Sequence, residues 1–152
     1  MKQLAVVIAT FFGFGRIRVA PGTWTSLVVV LIIYFIPPTA LPPLYLLLVT
    51  GIVFAVGIPA AAVCEKHFQK KDPRQCVIDE VAGQLVCLWF LPHTVFFFGA
   101  AFLLFRFLDI FKPFPVKASE QIPYGIGIML DDVLAGLYGM GLLHGMRYLF
   151  FT

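Results

Sequence analysis

The sequence predicts an all-α, multihelical integral membrane bundle with some short or re-entrant helices, built as a single domain over residues 1–152. Three observations lead there. Hydrophobic residues make up 61% of the chain and charged ones 12%, with mean hydropathy +0.95, whereas a typical soluble domain carries about 25% charged residues. Many of the 17 Phe fall in apolar runs such as residues 95–98 and 100–105, which suit a lipid-facing surface better than a small core. Finally, 18 of the 19 charged residues form four groups divided by apolar stretches: Lys2 alone, Arg16 with Arg18, residues 65–80, and residues 106–132.

Each element follows from this pattern. Residues 3–12 are apolar, with no small-residue cleavage site ahead of Arg16, so they are read as part of the fold and not as a removed signal peptide. Residues 27–36 are apolar and β-branched, and IPPTALPP then turns the chain around. Residues 44–64 can span about 30 Å as a helix. The run 81–105 is interrupted at Leu91-Pro92-His93-Thr94, where proline lacks an N–H and disfavours helix through Leu91. A hairpin of two short helices is therefore expected. The last run, 133–151, carries Gly136, Gly139, Gly141 and Gly145, a density suited to close helix packing in lipid.

Segments 3–12, 26–36, 81–91 and 94–105 are short beside the roughly 20 residues of a full span, so partial crossings are expected. Three connectors hold 9 of the 11 Lys and Arg, while the connectors 37–43 and 91–94 hold no charge. By the positive-inside rule the charged face is cytoplasmic. The hairpin is what brings residues 65–80 and 106–132 to that same face.

The composition also excludes. A net charge of +3 without a basic run argues against a nucleic-acid partner. Cys64, Cys76 and Cys87 form no even framework and no Cys-x-x-Cys pair, so they read as packed thiols. His67, His93 and His144 lack ligand spacing, and there is no Gly-rich nucleotide loop.

The chemistry lies in the acids. DPRQCVIDEVAG places Asp72, Arg74, Asp79 and Glu80 just before one apolar helix, and YGIGIMLDDVLAG places Asp131 and Asp132 before another. Glu80 shares a helical face with Gly83, and Asp132 with Gly136, so glycines would let the two helix starts approach until four carboxylates converge. Asp79, Glu80, Asp131 and Asp132 gathered out of water need a cation, and oxygen-only ligands favour Mg²⁺ or Mn²⁺. The plainer reading, acids complementing helix dipoles, is weakened by two matched pairs in so acid-poor a chain.

Between them, FRFLDIFKPFPVKASE sets Arg106 and Asp109 three residues apart on one face, with Lys112 after them and Pro113 and Pro115 ending the helix. Arg106 and Lys112 suit phosphate oxygens, while an Arg106–Asp109 salt bridge is the structural alternative. In VAPGTWTS, Pro-Gly is followed by Thr23, Thr25 and Ser26 at a helix start, where backbone N–H groups form an anion site, although an N-cap role explains Thr23 equally well. Thr23, Ser26 and Asp72 are the candidate substrate contacts. Arg16 and Arg18 read as snorkelling side chains.

These segments resemble the phosphatidylglycerophosphatase A family from about Gly13 to Gly136. The likeness rests on APGTxxS (Ala20 to Ser26), DPxxxVxDExxG (Asp72 to Gly83), FRxxDxxKPxP (Phe105 to Pro115) and GxGIMxDDxxAG (Gly125 to Gly136), in that order. The family usually has Gly where Thr25 stands and often Pro where Arg18 stands. The resemblance implies a Mg²⁺-dependent enzyme of the bacterial cytoplasmic (inner) membrane, multi-pass, with its active site facing the cytoplasm. Its substrate would be phosphatidylglycerophosphate, converted to phosphatidylglycerol in glycerophospholipid synthesis. In that reading Asp79, Glu80, Asp131 and Asp132 hold metal, Arg106 and Lys112 stabilise the phosphoryl group, and Asp109 is a ligand or the base that orients water. Two other classes remain: a small transporter or channel, which needs polar residues at mid-bilayer depth, and a non-catalytic subunit of a lipid-synthesis complex, in which the carboxylates would be dispensable.

Overall fold

The computed structural model describes residues 2–119 and 121–150. Among these the chain is helical throughout, without strands: α1 (Lys2–Ala9), a 3-10 turn (Phe14–Arg16), α2 (Pro21–Phe35), α3 (Pro43–Phe68), α4 (Ile78–Cys87), α5 (Val95–Phe111), α6 (Val116–Ser119) and α7 (Ile126–Phe150). Residue 151, which closes the last expected run, lies outside the described residues. The protein is an all-α membrane bundle. Helices α3 and α7, of 26 and 25 residues, are long and apolar enough to cross a membrane. At 1.5 Å per residue each covers about 38 Å, more than the ~30 Å hydrocarbon core. The outer faces are apolar as lipid requires: Leu31, Ile32, Leu48, Ile52, Leu103, Phe107 and Leu142 are all exposed.

Helix α4 is the centre of the bundle. All of its ten residues but Glu80 are buried, and it packs against α2, α3, α5 and α7. The expected break follows it. α4 stops at Cys87, Phe90 takes a left-handed conformation (φ 59°), and Thr94 caps α5 by accepting the Phe97 N–H at 3.3 Å. The arms are antiparallel: Arg106 reaches Glu80 near the start of α4, and the Cys87 thiol donates to the Ala101 carbonyl at its end. The tip is held by protein, with Trp89 Nε1 donating to Thr50 Oγ1 at 3.1 Å and His144 Nε2 2.9 Å from the Trp89 carbonyl.

Two of the following three boundaries differ from the sequence expectation. Helix α2 begins at Pro21, which suits the first helical position, with Ala20 as N-cap. Thr23 therefore lies inside the first turn, and the N-cap explanation for it is withdrawn. Helix α5 runs to Phe111, ahead of Pro113 as expected, and Lys112 (φ 46°) provides a left-handed cap whose N–H donates to the Leu108 carbonyl at 2.8 Å. Helix α7 begins at Ile126, so Asp131 and Asp132 sit in its second turn and not before it. Tyr124 and Gly125 stay outside the helix, both with positive φ (66° and 76°), and Gly125 lies hard against α3, where a Cβ would meet the Ile58 carbonyl.

Candidate active site

The site is assembled where α4 and α7 touch backbone to backbone. A Cβ on Gly136 would land on the Gly83 carbonyl, and one on Gly83 would land on the Asp132 carbonyl and the Phe105 ring. Any larger residue at either position would drive these helices apart. Glycine does the same at α2, where a Cβ on Gly22 would collide with Glu80 Oε1. Glu80 thus lies against the N-terminal turn of α2, whose dipole favours a negative charge.

Asp79, Glu80 and Asp132 each offer a carboxylate oxygen within 4.8 Å of the others. Asp79 and Asp132 are buried, and Asp79 Oδ1, Glu80 Oε2 and Asp132 Oδ2 find no hydrogen-bond partner among the described residues. Asp131 takes another direction. Its Oδ2 lies 2.6 Å from Lys112 Nζ and its Oδ1 accepts the Asp132 N–H at 3.0 Å. Arg106 Nη1 lies 2.8 Å from Asp109 Oδ2 and 3.8 Å from Glu80 Oε1, so the salt bridge expected as the structural alternative is present and the same guanidinium also faces the acid trio.

A cleft of about 270 Å³ opens over these groups. Of the ten sequence-derived candidates, nine line it: Thr23, Asp72, Asp79, Glu80, Arg106, Asp109, Lys112, Asp131 and Asp132. Ser26 does not. It is fully buried one helical turn further along α2. Thr25 is also buried, donating to the Pro21 carbonyl at 3.0 Å. Six further residues line it, Ala20, Pro21, Gly22, Arg74, Cys76 and Ile110, and of these Arg74 and Cys76 carry ionisable side chains that sequence reasoning left out of the site. Arg74 had a signal, being the one cation between Asp72 and Asp79; Cys76 had none.

Six carboxyl groups of the cleft stand against three cations, Arg74, Arg106 and Lys112. Burying such an excess of negative charge costs several kcal/mol per unpaired ion, and a phosphate would add to it. The three unpartnered oxygens on converging carboxylates are the donor set a hard divalent cation takes, so Asp79, Glu80 and Asp132 fit a metal, with Asp131 held apart by Lys112. Arg106 and Lys112 then face an anion placed in the cleft.

A family model described as phosphatidylglycerophosphatase A matches residues 7–147. Two curated relatives bear that name: one from Haemophilus influenzae, 35% identical over 93% of this chain and 88% of its own, and one from Escherichia coli, 31% identical over 91% and 80%. A relative from Bacteroides thetaiotaomicron, 40% identical over 95% of this chain and 94% of its own, carries the provisional name phosphatidylinositol-3-phosphatase. No solved structure matches the chain significantly.

Proposed function

The chain belongs to the phosphatidylglycerophosphatase A family, and on that premise we propose that it hydrolyses the terminal phosphomonoester of phosphatidylglycerophosphate, with Mg²⁺ at Asp79, Glu80 and Asp132. The observation that carries the reading is the trio of buried, unpartnered carboxylate oxygens beside Arg106 and Lys112 in one cleft. Bound there, Mg²⁺ would supply positive charge against the phosphate oxygens and lower the pKa of the attacking water. Arg106 presents its guanidinium to the phosphoryl group, where a planar set of donors matches charge developing on the equatorial oxygens. Lys112, oriented by Asp131 at 2.6 Å, adds a second cation. Asp109 holds Arg106 in place and is a carboxylate outside the trio able to accept a proton from water. The N–H groups at the start of α2, around Thr23, form a further anion contact.

The products are phosphatidylglycerol and inorganic phosphate, which places the reaction in glycerophospholipid synthesis. We place the cleft at the cytoplasmic face of a bacterial inner membrane, since the Lys- and Arg-bearing connectors gather at that end. Charge at helix ends also argues against a transport path, which needs it at mid-depth. The name of the Bacteroides relative supports a second headgroup, because the cleft's chemistry serves any lipid phosphomonoester. The test is phosphate release by purified protein from phosphatidylglycerophosphate and from phosphatidylinositol 3-phosphate, with Mg²⁺ and with excess chelator. Release from the first lipid, lost on chelation and restored by Mg²⁺, is expected. Full activity in chelator would overturn the metal assignment, and preference for the inositol lipid would overturn the substrate.

A further inference from the structure

The start of α2 and the end of α5 both line the cleft, and the same faces of these two helices continue beyond it. On α2, Thr23 lines the cleft, and Leu27, Val30 and Leu31 follow it by four, seven and eight residues, the spacing of one helical face. On α5, Arg106 lines the cleft, and Phe102, Gly99 and Phe98 precede it by the same four, seven and eight residues. These six residues face one another across a single apolar groove of about 250 Å³. Because α2 starts and α5 ends at the cleft, both stripes descend together away from the charged end. At 1.5 Å per residue the groove begins about 6 Å below Thr23 and Arg106. It closes at Tyr34 and Val95, eleven residues from each, about 16 Å down. That depth is roughly half of the ~30 Å hydrocarbon thickness, one leaflet. Gly99 sets the width of the groove, since a Cβ there meets nothing within 4 Å.

We propose that this groove seats an acyl chain of the lipid whose phosphate lies in the cleft, so that the enzyme selects diacyl phospholipid monoesters over short-chain or water-soluble ones. The proposal rests on the phosphatase reading above. Its argument is continuity: a phospholipid carries its polar and apolar ends in the order in which each helix presents cations and then apolar side chains. A general lipid-facing dent would not begin one turn from the catalytic cleft on both walls.

Gly99→Phe places a ring at the groove from a position where the Cβ meets nothing within 4 Å, and it replaces a helix-interior glycine. Leu31→Trp narrows the groove from the facing wall and serves as the second variant. Wild type and variants are compared in mixed micelles on dipalmitoyl and on dibutanoyl phosphatidylglycerophosphate, the latter too short to reach Gly99. We expect KM for the long-chain lipid to rise about tenfold, the worth of two buried methylene groups, with turnover at saturation and all constants for the short-chain lipid unchanged. No change in either variant, or an equal change on both lipids, overturns the proposal. So does a shift in oligomeric mass without chain-length dependence, which would make the groove a seat for a second copy of the chain. If wild type releases phosphate from neither lipid, the phosphatase reading fails and takes this one with it.

Discussion

Gly136→Ala should disable the site through one methyl group. The added Cβ would fall on the Gly83 carbonyl, with the Gly83 carbonyl carbon and Val86 Cβ each at 3.1 Å, whereas ordinary contact begins at 3.4 Å. Both obstacles belong to a neighbouring helix's backbone or branch point, so neither can swing aside, and α4 and α7 must part by about an ångström. Overpacking of this kind costs about 1–3 kcal/mol, and the ~1 kcal/mol gained by replacing a helical glycine offsets part of it. The folded protein should persist. The site should not, because α4 carries Asp79 and Glu80 while α7 carries Asp132, and misplacing reacting groups by about 1 Å costs on the order of a hundredfold in rate. Turnover per folded enzyme should fall by about that factor, with the Mg²⁺ requirement shifted to higher concentration. Gly141→Ala is the control: on the same helix, a Cβ there meets nothing within 4 Å, so activity should be unchanged and stability slightly raised. The comparison is made on monodisperse protein with matched thermal unfolding. Wild-type turnover and Mg²⁺ dependence in Gly136→Ala would refute the claim that this glycine contact sets the geometry of the acid trio.

Asp132→Asn and Glu80→Gln keep shape and remove charge, and each should lower turnover at least about a hundredfold; near-normal rates in either would remove that residue from the site. Arg106→Lys should lower turnover more than it raises KM, because a point charge cannot replace the planar fork; loss of stability alone, with turnover per folded enzyme intact, would leave Arg106 only its ion pair with Asp109. In a variant with the three native cysteines replaced, single cysteines at the exposed positions Lys70 and Lys117 should react with a membrane-impermeant thiol reagent from the cytoplasmic side only, and labelling of the two from opposite sides would overturn the shared-face topology.

The helical hairpin shows why so much of this site was legible. Pro92 and the uncharged tip are local features, and they are enough to return residues 106–132 to the end of the bundle that holds residues 65–80. Charge grouping and hydropathy are local too, so the membrane bundle and the candidate carboxylates and cations could be read without coordinates. The pairing of Gly83 with Gly136 followed from helical spacing alone, since glycine four or three residues past an acid has few other uses at a helix contact.

What the sequence determined by itself was therefore which residues meet; the tertiary structure decided which way each one points. Adjacent acids on a helix need not share a role: Asp79 and Glu80 both reach the trio, whereas Asp131 is turned to Lys112 at the α5 cap and Asp132 alone joins them from α7. Ser26 was drawn to the cleft by its neighbours in the sequence, yet the helix begins at Pro21 and carries Ser26 a full turn away from Gly22 into the interior. Helix phase depends on where the first turn closes, and that is set by contacts with other helices. A short stretch of sequence contains no record of them.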